Sequence, residues 1–271
     1  MKSNHLKYYT MKAFSIFIVV LSLSLLNVHS QSPVGIGTEA PDGAEVLFDG
    51  SANSLNENWI YWEGPRLAVA MAGDGKRSIN WEIVNDPVDK GTVVSSDDPA
   101  VVDHKYGSAD IVTKKEYLDF RLHVEFLIEE EGGNSGVYLQ NRYEIQILDN
   151  DSTQHGMAAV INEIDSPYYA YNGVGNWNSY DIVFRAARFK DGKRTEKALV
   201  TNYFNGTKVY SNIGINQVWG GANSGIDGGN DEGKGITDSP GGIKLQAEGY
   251  SVLYRNIWIK ELNLTEPDTD F

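Results

Sequence analysis

GGNSGVYLQNRYEIQILD, residues 132–149, reads as two strands joined by a tight reversal. Side chains on a strand alternate between its two faces with a period of two. In the first arm Val137 and Leu139 share one face, and Gly136, Tyr138 and Gln140 share the other. In the second arm Tyr143, Ile145 and Ile147 point one way, and Glu144, Gln146 and Leu148 the opposite way. The hairpin thus offers an apolar side to a core and a second side carrying Tyr138, Glu144 and Gln146. A phenol, a carboxyl and an amide projecting together from a rigid sheet are the groups that a sugar-binding or sugar-cleaving surface needs.

Segments of the same kind recur on either side of the hairpin, at residues 45–48, 79–84, 110–113, 118–128, 178–186, 198–204, 243–246 and 252–262. They are rich in Val, Ile, Tyr and Phe and are separated by Gly, Asp and Asn turns. No stretch carries a sustained helical period with good caps. Many short strands without alternating helices predict an all-β sandwich or barrel.

The chain has 271 residues. Its start reads as a targeting segment: Lys2, Lys7 and Lys12 precede the apolar run 13–26, and Val28-His29-Ser30 ends in small residues. Cleavage after Ser30 is the expectation, with a retained anchor as the alternative. The run is short for a membrane span, and nothing later approaches one. Residues 31–43, rich in Gly, Pro and Ser, read as a leader, and 44–271 as one β-sandwich domain. There is no cysteine, hence no disulfide, thiolate or lipid-modified cysteine, which fits a periplasmic or secreted location. Residues 1–30 hold three Lys and no acid, so their removal moves the net charge from −14 to −17. Such a surface repels phosphate backbones and argues against a nucleic-acid partner.

Three strands supply polar groups that can converge. His123 and Glu125 alternate with Leu122, Val124, Phe126 and Ile128. Glu144 and Gln146 come from the hairpin. Gln246 and Glu248 share one parity, and Arg255 follows a reversal at Gly249. If these strands are neighbours, Glu125, Glu144, Gln146, Gln246, Glu248 and Arg255 line one concave face. Paired carboxylates suit acid–base work, because environment pushes their pKa values apart. Alternating strands of any sandwich also put polar residues toward solvent, which is the plainer reading. Tyr168, Tyr169 and Tyr171 cluster in the long polar segment 149–177 and offer a stacking platform. The Gly-rich segment 219–242 carries Asp227, Asn230, Asp231, Glu232 and Asp238. Such oxygens suit calcium, although the spacing matches no EF-hand and a solvated loop is the competing reading. After the expected cleavage only His104, His123 and His155 remain, none paired at metal-ligand spacing. No nucleophile elbow and no phosphate-binding loop is present.

Six blocks in order resemble the 3-keto-disaccharide hydrolase family. They are VLFDGSANSLNENW (46–59), ADIVTKKEYLDFRLHVEF (109–126), GNSGVYLQNRYEIQILD (133–149), GNWNSYDIVFRAARF (175–189), YFNG (203–206) and GGIKLQAEGYSVLYRNIWIKEL (241–262). The resemblance implies a concanavalin-A-like sandwich, a jelly roll of two antiparallel sheets, acting on a glycan or glycoside. It also implies a route: a ketone at C3 acidifies the C2 proton, a base removes it, the C1 substituent leaves by β-elimination, and water adds back. By position, Glu144 is the first choice for base or acid, with Asn134, Tyr138 and Gln146 orienting the sugar. Gln246, Glu248 and Arg255 form the second group, Arg255 as enolate stabiliser or as a structural residue. Many members carry His where Ala247 and Glu248 stand, and others where Phe204 stands. Glu248 would replace a His base. Two rivals stay open: a non-catalytic lectin-like module, and an ordinary glycosidase using two carboxylates.

Overall fold

The computed structural model describes residues 33–62, 79, 81–85, 91–94, 110–219, 235–248 and 250–271. The expected signal segment, most of the candidate calcium loop and the Gly249 reversal lie outside these residues.

The described strands are β1 (Glu45–Phe48), β2 (Trp59–Tyr61), β3 (Glu82–Asn85), β4 (Gly91–Val94), β5 (Ile111–Thr113), β6 (Phe120–Ile128), β7 (Asn134–Leu139) and β8 (Tyr143–Leu148). They continue with β9 (Asn178–Arg185), β10 (Arg188–Lys190), β11 (Lys193–Glu196), β12 (Ala198–Phe204), β13 (Thr207–Ile215), β14 (Lys244–Leu245) and β15 (Val252–Glu261). One sheet runs β13-β12-β9-β6-β15-β4-β3, with β1 also on β15; the other runs β2-β5-β14-β7-β8. Every pairing is antiparallel.

The two sheets pack face to face because each presents one apolar parity. Leu122, Val124 and Phe126 of β6 meet Val137, Leu139, Tyr143, Ile145 and Ile147 of the hairpin in one core. Aromatic pairs fill it: Phe126 lies 4.8 Å from Tyr180, and Phe184 lies 5.6 Å from Tyr143. Polar tips tie the layers. Ser135 Oγ and Tyr254 Oη are 2.6 Å apart, and Tyr180 Oη donates to the Gln146 carbonyl at 2.6 Å. A buried hydroxyl needs such a partner, and these fix the height of the hairpin above the larger sheet.

Two local readings change. The hairpin turns through Gln140 and Asn141, both left-handed with φ of 50° and 55°, so Gln140 leaves the strand instead of sharing the face of Tyr138. A short helix, α1 (Ala52–Asn58), is capped by Ser51, which accepts from the Ser54 amide; its seven residues are too few to show a helical period. Residues 33–38 lie on the larger sheet. The Gly35 and Gly37 amides donate to Asp181 and Glu125 at 2.7 Å each, and Thr38 O accepts from Trp258 Nε1.

Candidate active site

The outer face of the five-stranded sheet carries a hollow of about 200 Å³. β7 contributes Asn134 and Tyr138, β8 contributes Glu144 and Gln146, and the segment after β14 contributes Gln246 and Glu248. Register brings them together: Tyr138 pairs with Glu144 and Gly136 with Gln146, while Lys244 of β14 pairs with Tyr138. Five residues expected from the alternation, and Asn134 expected from the family resemblance, therefore meet in one place. His155 and Ile161, from the segment after β8, complete the wall.

Glu144 is the buried carboxyl of the hollow. A Cβ added at Gly136 would sit 2.4 Å from Glu144 Oε1 and 3.1 Å from the Tyr138 ring, so only glycine leaves room for that carboxylate. Burial raises its pKa to about 7; hydrogen bonding from Tyr138 and the Lys244 charge oppose the rise, while the charges of Glu248 and Asp110 add to it. Burial, followed by the charges of Glu144 and Asp110, holds the Tyr138 phenol well above its ordinary value, so it stays a donor.

Beneath these groups lies a buried cation. Lys244 Nζ sits 3.9 Å from the Tyr138 ring centroid and 4.4 Å from that of Trp62, and it donates to Asp110 Oδ2 at 2.9 Å. Asp110 Oδ1 accepts the Ala247 amide at 2.9 Å, which anchors the Gln246–Glu248 segment. Gln246 Nε2 donates to Glu248 Oε1 at 2.7 Å and to Tyr138 Oη at 3.2 Å. That spends its amide nitrogen and leaves Oε1 buried without a donor; Asn134 Oδ1 is in the same state. Orphan buried acceptors are costly unless a ligand satisfies them, and sugar hydroxyls are the obvious donors.

Four expected residues are elsewhere. Glu125 and Arg255 pair across β6 and β15 with an Nε–Oε2 distance of 2.7 Å. Their parity is opposite to the core-facing Val124 and Tyr254, so they occupy the outer face of the eight-stranded sheet, across the sandwich from Glu144. Burial alone would push Glu125 up, but hydrogen bonds from His123, Asn256, the Gly37 amide and Arg255 bring its pKa down to about 2. That is an ion-pair carboxylate, not a proton donor. Tyr168 donates to Asp149 Oδ1 at 2.9 Å and packs on Tyr171, while Tyr169 is 77 % exposed; neither lines the hollow. Phe204, at a position where relatives carry His, is a core residue stacked on Phe126 and Tyr171. Lys244, Asp110 and His155 escaped sequence reasoning. The parity that Lys244 shares with Gln246 was the one signal for it; His155 sits in a segment without period.

Among the described residues no cluster of His, Asp and Glu has metal-holding geometry, and no helix is long and apolar enough to cross a membrane.

An open antiparallel sandwich with a carboxyl, a phenol and unsatisfied amides in a polar hollow is a carbohydrate-active protein. More narrowly, the chain belongs to the 3-keto-alpha-glucoside-1,2-lyase-like domain family, whose model matches residues 43–260. It is similar to a candidate glycosyl hydrolase from Parabacteroides distasonis, at 27% identity over 83% of this chain and 86% of that one, with a TM-score of 0.60. A second candidate glycosyl hydrolase from the same organism shares the fold at 22% identity, covering 82% of this chain and 94% of the other, with a TM-score of 0.51. No curated protein matches the chain.

Proposed function

We propose that the hollow cleaves the glycosidic bond of a 3-keto-glycoside by C2 proton abstraction, β-elimination and hydration. The observation that carries this reading is Glu144: a buried carboxyl with a pKa near 7, opposite a phenol that stays protonated, among acceptors waiting for hydroxyls. A base poised near neutral pH is what abstraction from carbon requires. Glu144 takes the C2 proton, and the electron pair moves onto the C3 oxygen. Return of that pair expels the C1 substituent, whose oxygen takes the proton that Glu144 removed from C2, and water then adds across C1 and C2. Gln246 and Asn134 accept from sugar hydroxyls. The reading includes export: residues 1–30 act as a signal peptide, and the enzyme meets its glycan or glycoside in the periplasm or outside the cell.

A second reading draws on Glu144 and Glu248 lining one hollow, the arrangement of an ordinary two-carboxylate glycosidase. Product analysis on 3-keto-glucosides beside their unoxidised parents separates the two. Cleavage confined to the keto sugars, and reduced about 10²-fold or more in Glu144→Gln, is the expected result. Equal cleavage of the parents would establish the ordinary glycosidase, and binding without turnover a lectin-like module.

A further inference from the structure

Removing a proton beside a ketone drives negative charge onto the ketone oxygen, and that charge needs a donor already fixed in place. Arg255 cannot supply it from the opposite face. Lys244 is sealed between two rings and paired with Asp110. Tyr138 is bonded to Glu144 and Gln246. The geometry points to Gln146 as the catalytic residue that stabilises the enolate, an assignment that rests on the 3-keto-glycoside reading.

Gln146 Oε1 accepts the Ile147 amide at 2.9 Å, which sets the plane of the side-chain amide and turns Nε2 away from the backbone. The residue lines the hollow. Its own backbone is pinned three times: its N–H donates to Ala159 O at 3.0 Å, and its carbonyl accepts from the Ala158 amide at 2.8 Å and from Tyr180 Oη at 2.6 Å. A donor held this way needs no reorganisation when charge develops. Around it stand two buried acceptors without donors, Gln246 Oε1 and Asn134 Oδ1. One fixed donor beside two empty acceptors is the complement of a carbonyl flanked by two hydroxyls, which is the 2-OH, 3-keto, 4-OH edge of the oxidised sugar. In the step itself the C2–H bond breaks and an O–H bond forms on Glu144. The C2 electron pair becomes the C2–C3 double bond, and the carbonyl pair settles on oxygen facing Gln146 Nε2. Nothing is oxidised or reduced.

The test uses the whole protein and a methyl 3-keto-glucoside in heavy water, following deuterium entry at C2 by NMR together with methanol release. The variants are Gln146→Glu, which keeps shape but makes both oxygens acceptors, and Gln146→Met, which is uncharged. Both are expected to lose about 10²–10³-fold in C2 exchange and in kcat, with KM within about threefold. Wild-type exchange in either folded variant, or a loss that falls on KM with kcat kept, overturns the assignment and leaves the reaction standing. A wild-type protein that cleaves the keto sugar without C2 exchange overturns the elimination route and this assignment with it.

Discussion

A carboxyl that must accept a proton from carbon works best when its pKa lies near the working pH. Glu144 reaches about 7 through burial, despite the Tyr138 hydrogen bond and the Lys244 charge that favour its ionised form. As a base it must be ionised, so kcat/KM on a keto-glucoside is expected to rise with pH and level off above about 7. Tyr138→Phe removes a bond made to the carboxylate, which raises the Glu144 pKa and moves that limb to higher pH. A pH–rate profile unmoved by Tyr138→Phe would show that Glu144 does not set the limb. Gly136 is a second residue-scale handle. Gly136→Ala places a methyl 2.4 Å from Oε1, so the carboxylate must move. Misplacement of about 1 Å costs on the order of 10²-fold in rate, and kcat for Gly136→Ala is expected to fall by that much while the thermal midpoint changes far less. Strand alternation put Gly136 on the same face as Tyr138, but its role as the floor under a carboxylate follows only from the cross-strand register.

At the scale of elements, a buried ion pair fastens β14, which lies beside the hairpin, to the residue that precedes β5. Lys244 and Asp110 are both essentially without solvent contact. Removing one partner of such a pair leaves an uncompensated charge and costs about 3–5 kcal/mol. Asp110→Asn is therefore expected to lower the urea midpoint steeply, and the double change Asp110→Leu with Lys244→Met to recover most of that loss. Equal losses in the single and double variants would show that the Asp110 bond to the Ala247 amide, not the ion pair, carries the stability. The same elements mark how far alternation reads. It located β6, β7, β8, β9, β12 and β15 within a few residues. It did not find β2, three residues long, nor β13, where TKVYSNIGI carries Lys208, Ser211 and Asn212 with little alternation. Above all, period two separates inside from outside without saying which of two sheets a strand joins. Glu125 and Glu144 have the same signature, an acid between apolar neighbours, yet they stand on opposite outer surfaces. Only strand order, β6 beside β15 and β14 beside β7, separates them.

Across the whole molecule the two outer faces differ. Among the described residues the five-stranded face carries the hollow that holds Glu144. On the eight-stranded face residues 33–38 rest on Arg121, Glu125 and Asp181; His123 bridges the two carboxylates, Arg255 pairs with Glu125, and Trp258 is stacked 5.3 Å from His123. The pKa of Glu125 is depressed to about 2, so its contribution to stability is complete above the unfolded value of 4.5 and is lost as pH falls through 2. His123 shifts the other way. Burial opposes its charge, but the hydrogen bonds it donates to Asp181 and Glu125 win, so its contribution is complete below the unfolded 6.5 and fades as pH rises through its higher folded value. The strap is therefore held best between about pH 4.5 and 6.5. Amide hydrogen exchange at Gly35 and Gly37 is expected to show greatest protection in that window. In Glu125→Gln the protection at Gly37 drops at pH 6, and the gap from wild type closes toward pH 2. A gap that stays constant from pH 6 to pH 2 would mean that the charge of Glu125 does not hold the strap. Because these charges lie across the core from Glu144, the same variant should leave the midpoint of the pH–rate profile where it is. That independence separates a face that fastens the chain from the face that carries the proposed site.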